Sequence, residues 1–268
     1  VWVCPNIEHY EYLPAEVRVR NPWPRMPHPD VLGYGGRDYG NRVGLWRMFE
    51  VLDKHDIRCT VSLSMSVIEM YPEILEAMEA RRWEYMSHGY FNTRYHWGYT
   101  PEEELEVIEH SKATHLRLTG RKLRGWFSPA VSNTMNTPDL VKQAGLEYFC
   151  DFYHDDQPTP LATKHGPLIH VPYSMDINDA MIYRQPVEAE EFGQMIVDHF
   201  DTVYREGNEN GRVMCIALHP YMMAAPHRLK HLDKALSYIR QHKDAWICTA
   251  EEILDSYTQN GMAAYQKH

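Results

Sequence analysis

The amino-acid sequence predicts an α/β fold, an irregular (β/α)7-type TIM-like barrel in a single domain. Three observations predict it. Eight short runs rich in β-branched and aromatic residues recur along the 268 residues. Segments with helical period and capping signals separate most of them, the alternation expected of parallel β/α units. Finally, polar side chains gather immediately behind the apolar runs, as they do where barrel strands open onto a site.

The predicted strands, in chain order, are VWVC at the start, IRCTVSLS at 57–64, WEYMS at 83–87, RGWF at 124–127, LEYFC at 146–150, PLIHVPY at 167–173, RVMCIALH at 212–219 and AWICT at 245–249. The segment NRVGLWRMFEVLDKH places Val43, Trp46, Phe49 and Leu52 near helical spacing and forms the crossover into the second strand. Thr100, Pro101 and Glu103 combine an N-cap, a proline at the first helical position and a capping-box acid, so a helix should run from there to about Gly120. Thr137-Pro138 opens another helix, the acids EAEE at 188–191 suit the N-terminus of a helix through EFGQMIVDHFDTVYREG, and Thr249 with Glu252 forms a further capping box. From about 14 to 36 the chain reads as a long irregular loop. NPWPRMPHPDVLGYGG holds seven prolines and glycines, while Trp23 and Tyr34 imply that the loop packs on something.

A formal net charge of −10 leaves no surplus of Lys and Arg to neutralise phosphates, so nucleic acid is excluded as a partner. The apolar runs are strand-length, and none approaches the roughly 20 residues of a membrane helix. VWVCPNIEHY has no basic region followed by an apolar core, so a cytoplasmic protein is expected. Cys4, Cys59, Cys150, Cys215 and Cys248 lie in or beside apolar runs at spacings that match no zinc knuckle, and are expected to be buried reduced thiols.

Behind the strands stand Asn6 and Glu8-His9, then His88-Gly89, Ser128-Pro129, Asp151, Ser174 and Asp176, His219-Pro220, and finally Thr249 and Glu251. A polar residue behind one strand is ordinary; the set points to a site at the carboxyl ends of the strands. Gly89 lets the backbone approach whatever His88 touches, and Pro220 stops the ladder with His219 at the rim. His227 and His231, at i, i+4, lack the acid of a metalloprotease motif and read as a solvated or oligomer-facing helix face. His110 and His115 read similarly.

In order and spacing these motifs resemble the polysaccharide deacetylases of the carbohydrate esterase type, within them the branch of allantoinase-like and cyclic-imide-hydrolase-like enzymes. The resemblance runs from PNIEHYEY through RVGLWRMFEVLDKHDI, SHGYFNTR, GWFSPAVSNT, VPYSMDIND and ALHPY to AWICTAEEILDSY. It implies a barrel of about seven β/α units that hydrolyses a carbon–nitrogen bond. The family's deacetylases carry two neighbouring aspartates, a general base and a metal ligand, and an HxxxH motif that binds the metal. Those positions correspond here to Glu8 and His9, then His88 and Asn92, so the Asp-His-His zinc site is not reproduced. The resemblance implies one divalent metal, zinc foremost, on His9 and His88, with metal-free catalysis the alternative.

On this reading Glu8 is the general base and His219 the acid that protonates the leaving nitrogen. Asn92 and Arg94 orient a second carbonyl, the backbone near Ser128 meets the oxyanion, and Tyr173 lines the same pocket. The expected substrate is a small cyclic amide, imide or ureide. N-deacetylation of an amino sugar or peptidoglycan fragment is the alternative, and a non-catalytic ligand-binding barrel is a second. A homo-oligomer acting on a small molecule, away from membranes, is expected.

Overall fold

The computed structural model describes residues 1–14, 29–184 and 187–261. Its sheet contains β1 (Trp2–Ile7), β2 (Thr60–Leu63), β3 (Glu84–Ser87), β4 (Gly125–Trp126), β5 (Tyr148–Phe149), β6 (Thr159–Leu161), β7 (Leu168–His170) and β8 (Cys215–Leu218), in the order β6-β7-β5-β4-β3-β2-β1-β8. Every pairing is parallel except that of β6 with β7. Helices α1 (Val31–Tyr39), α2 (Leu45–Lys54), α3 (Met65–Met70), α4 (Pro72–Ala80), α5 (Pro101–Thr119), α6 (Thr137–Gln143), α7 (Met181–Arg184), α8 (Ala189–Glu206), α9 (Leu229–Ile239) and α10 (Ala250–Ser256) complete it. The sheet curls into an irregular barrel. Past β7 the chain turns at Tyr173 and reaches β8, where Asn178 bridges Ala217 in parallel; the Ala217 N–H donates to Ile177 O at 2.9 Å and the Asp179 N–H to Ala217 O at 3.1 Å.

Period-two alternation along β1 sorts its side chains. Val3 and Ile7 join the helix-facing core with Leu45, Phe49, Trp83, Ile196 and Ile216, whereas Trp2 and Cys4 join the barrel interior with Met86, Tyr148, Cys150 and Ala217. Asn6 and Glu8 continue the interior row upward to the carboxyl end.

Most predicted elements fall where the sequence puts them. The capping box of α5 forms, with the Glu103 N–H on the Thr100 hydroxyl and a left-handed Gly120 at the C-terminus (φ 70°). The box of α10 forms on Thr249 and Glu252. Three readings change. AWICT is not a strand: its backbone bonds to the barrel are confined to Val1, ahead of β1, whose amino group donates to Trp246 O at 2.8 Å and whose carbonyl accepts from the Cys248 N–H at 3.0 Å, and Trp246 is half exposed. With pairing limited to that one residue, its apolar residues pack as a connector. The end of the expected 14–36 loop is helical, because Asp30 caps α1 by accepting from the Gly33 N–H at 2.9 Å. Within it Tyr34 packs edge-on against Tyr12, while Trp23 and positions 15–28 lie outside the described residues. Third, β6 pairs antiparallel on the sheet edge, although Pro160 at its centre argues against a strand. All five cysteines are buried free thiols. Among the described residues no helix is long and apolar enough to cross a membrane.

A π-helical turn, Gly40–Gly44, braces the loop after β8. A Cβ built on Gly40 would lie 2.9 Å from Tyr221 N, and one on Gly44 would lie 2.1 Å from Pro220 O. Neither contact tolerates a side chain without moving the backbone beside His219. Gly44→Ala is therefore expected to destabilise the protein by about 1–3 kcal/mol and to lower turnover beyond the loss of folded protein; unchanged urea unfolding and activity would show that the turn does not brace the loop.

Candidate active site

A pocket of about 260 Å³ opens at the carboxyl ends of the strands, with Asn6, Glu8, His88, Asn92, Asn178 and His219 among its polar lining and Tyr10, Tyr95, Trp97, Phe127, Tyr173 and Tyr221 among its aromatic walls. Glu8 lies at its centre. Its Oε2 accepts from the Tyr10 and Tyr221 hydroxyls, each at 2.9 Å. Its Oε1 is 3.6 Å from His88 Nε2 and 3.6 Å from His219 Nε2, beyond direct hydrogen-bond reach. Burial would raise the Glu8 carboxyl, but the adjoining His219 and His88 imidazoles outweigh it and hold the group well below the usual carboxylate range.

His219 is fixed from behind. Its Nδ1 lies 2.7 Å from Asp179 Oδ1, while Asp179 Oδ2 accepts from the His219 N–H at 2.8 Å and the Met223 N–H at 3.1 Å. The carboxylate fixes the Nδ1–H form and turns Nε2 toward Glu8. Burial would lower the imidazolium, yet Asp179 and Glu8 push it up to about 10, so His219 carries its proton at neutral pH. His88 is set by other means: Nδ1 lies 2.9 Å from the Phe127 carbonyl, which can only accept, so Nδ1 carries the hydrogen and Nε2 faces the pocket. The His88 ring stacks on Phe127 at 4.8 Å.

Thus the structure brings Glu8, His88, Asn92, Tyr173 and His219 into one pocket. It does not bring His9, Arg94 or Ser128 there. His9 follows Glu8 and points the opposite way, its Nδ1 3.0 Å from the Ser66 hydroxyl and its ring against Phe91 and Tyr71. Arg94 forks onto Glu11 and lies over Phe91. Ser128 is fully buried and does not line the pocket: its N–H donates to Asp151 Oδ1 at 2.7 Å and its hydroxyl accepts from Trp126 Nε1 at 3.1 Å. The residues after it, Ala130 and Val131, form the wall instead, both at positive φ (50° and 55°). Such strain in a β-branched residue persists only where surroundings enforce it.

Three participants escaped the sequence reading. Tyr10 and Tyr221 neighbour the flagged Glu8-His9 and His219-Pro220, and only the fold shows that both reach one carboxylate oxygen. Asp179 was passed over for Ser174 and Asp176 in the same loop; the run YSMDINDA holds two aspartates, and the bridge to Ala217 selects the second.

Among the described residues no three His, Cys, Asp or Glu side chains are arranged to hold the implied metal ion. His9 is turned away onto Ser66, and Asn92 supplies a neutral amide, which is not among the usual zinc ligands. The expected His9–His88 pair is not formed, and the donor set does not fit an Asp-His-His centre.

With this geometry in view, the relatives are informative. A polysaccharide deacetylase family model matches residues 37–149. A Schizosaccharomyces pombe protein named "Putative polysaccharide deacetylase" is 30% identical over 257 residues, covering 88% of this chain and 79% of its own. This chain belongs to the polysaccharide deacetylase family. It is accordingly a hydrolase acting on carbon–nitrogen bonds other than peptide bonds, and the non-catalytic alternative is not retained. The peptidoglycan deacetylase of Helicobacter pylori is 24% identical, covering 84% of this chain and 90% of its own. The crystal structure of PuuE allantoinase superposes with a TM-score of 0.86 at 24% identity, covering 97% of this chain and 90% of that one, a likeness of fold.

Asp151 yields a stability test. Burial, with a smaller contribution from Glu104, outweighs the hydrogen bonds from Ser128 and raises its carboxyl to about 7, and its Oδ2 is buried without a partner. An acid whose folded value exceeds the unfolded one, about 3.9, favours folding fully below the unfolded value and loses that contribution as pH rises through 7. Asp151→Asn should therefore be more favourable to stability at pH 8 than at pH 5 by about 2–3 kcal/mol, read by urea unfolding at both values; a pH-independent difference would mean that Asp151 does not titrate there.

Proposed function

We propose that this protein opens a small cyclic amide, imide or ureide by adding water to a ring carbonyl. The observation that carries the reading is Glu8 Oε1, placed between two imidazole Nε2 atoms in a small pocket walled by aromatic rings. A flat heterocycle has the size and faces for those walls, and the fold shared with PuuE allantoinase supports the reading further.

In this mechanism Glu8 Oε1 takes a proton from water as its oxygen bonds to the carbonyl carbon. His88 Nε2 faces the same space and orients the water. The tetrahedral intermediate collapses by breaking the carbon–nitrogen bond, and His219 Nε2 delivers its proton to the leaving nitrogen. The products are an acid and an amine or amide on one opened chain. The proton on Glu8 then returns by way of one water to His219, whose Nε2 lies 3.6 Å from Oε1, and the pair is reset. The depressed Glu8 is ionised and the raised His219 protonated over the same wide pH interval, the states this division of labour requires.

The second reading is N-deacetylation of an amino sugar or peptidoglycan fragment, favoured by the name of the Helicobacter pylori relative. Offering a cyclic imide, a hydantoin and a chitin oligosaccharide side by side separates the two, since one reaction yields a ring-opened acid and the other acetate. Glu8→Gln and His219→Asn should each lower kcat by about 10²- to 10⁴-fold with little change in melting temperature, and the double variant should lose far less than the product. Near-normal rates in both would remove them from the chemistry.

The same assignment fixes a pH profile. Activity should stay level from the carboxylate range up to about 10 and fall there as His219 loses its proton. Removing the Asp179 charge removes the leading cause of the rise, so Asp179→Asn should move the alkaline limb of kcat/KM to lower pH. An unmoved limb would show that His219 is not the acid.

A further inference from the structure

The amide of Asn92 can be oriented by logic. Glu8 is a carboxylate and can only accept, so the Tyr10 hydroxyl, 2.9 Å from Oε2, spends its hydrogen there. Tyr10 can then only accept from Asn92, whose nearer atom, 2.5 Å away, must be Nδ2. This leaves Oδ1 as the unengaged end. Asn92 lines the pocket, its side chain is buried, and Oδ1 has no hydrogen-bond partner in the protein. A buried acceptor without a partner costs about 1–3 kcal/mol and calls for an explanation.

We infer that Asn92 is a specificity residue whose Oδ1 accepts a hydrogen bond from an N–H of the substrate, its orientation imposed by the relay Asn92→Tyr10→Glu8. This rests on the reading of the pocket as a cyclic-amide site and deepens it. The preferred ring bears a free N–H beside the carbonyl that water attacks, and a ring alkylated at that nitrogen is rejected. The expected partner of Asn92 is thereby reversed: one N–H of its amide is held by Tyr10 and its unpartnered atom is the oxygen, so it reads a donor on the substrate rather than a second carbonyl. Tyr10 couples recognition to chemistry, because one hydroxyl both fixes the Asn92 amide and engages the base.

The test is the ratio of kcat/KM for an N–H substrate to that for its N-methyl counterpart, measured in the parent, Asn92→Leu, Asn92→Ser and Tyr10→Phe. The substrates are succinimide and N-methylsuccinimide, or, where only deacetylation is found, N-acetylglucosamine oligomers and their N-methylacetamido analogues. In the parent the ratio should exceed about tenfold, since a buried polar group left unpaired discriminates strongly. It should fall toward one in both Asn92 variants with a melting temperature close to that of the parent. In Tyr10→Phe the amide is released from its imposed orientation, so the ratio should fall along with kcat. Turnover of the acetylated sugar alone would overturn the cyclic-amide reading, and the same ratio would still decide the role of Asn92. Unchanged ratios in the folded Asn92 variants, or a parent indifferent to N-methylation, would overturn the inference.

Discussion

A carboxylate buried among aromatic rings is the constraint around which the site is arranged. Removed from water, Glu8 would take up a proton unless its oxygens were engaged, because burial disfavours charge. Two tyrosine hydroxyls engage Oε2, and two imidazoles face Oε1, one of them itself charged and backed by Asp179. The set Asp179, His219, Glu8 is thus an alternation of charges, minus, plus, minus, in which the central cation stabilises both anions. Replacing one member by a neutral isostere shifts the protonation of its neighbours, so the three groups act as one unit.

The barrel's closure and this charge chain share one structural cause. The bridge between Asn178 and Ala217 carries the chain from β7 to β8, and a site element lies within two residues on each side of that contact: Asp179 follows Asn178, and His219 follows β8 two residues beyond Ala217. One segment therefore narrows the sheet's open side and sets the imidazole. On the opposite flank, the glycines of the π-helical turn allow Pro220 and Tyr221 to approach α2 closely enough for the Tyr221 hydroxyl to reach Glu8. Packing at the rim and polarity at the centre are then not separable.

This explains which parts of the molecule were legible in the sequence. β1, β2, β3 and β8 are short runs, rich in apolar and β-branched residues and buried along their whole length, and α5 and α10 carry capping boxes, so their signals are local and strong. AWICT has the composition of a strand but pairs only with Val1, ahead of β1, and composition cannot report pairing. Within the site, Glu8 and His219 were readable because each lies two residues beyond an interior-facing strand residue, Asn6 and Ala217, just past the end of its strand. His9 misled because adjacency in sequence reverses direction in an extended chain: Glu8 and Tyr10 enter the pocket and the residue between them leaves it. Ser128 misled for another reason. Its polar groups are wholly used on Trp126 and Asp151, and only the three-dimensional arrangement reveals that use.

The departure from the family's metal motif also has a physical reading. Where the deacetylase pattern places a second aspartate, this chain has an outward-facing His9, and where it places a second histidine, Asn92 gives its hydrogen to Tyr10. These changes accompany the engagement of Glu8 Oε2 by tyrosines and of His219 by Asp179, so the charge at the centre is met by the chain's own groups. Asn92, whose amide N–H is held by Tyr10, keeps an oxygen with no partner in the protein beside the pocket instead. A position that reads a cation in one arrangement of this barrel reads a hydrogen-bond donor in the other, and that exchange follows from which way a single tyrosine hydroxyl points.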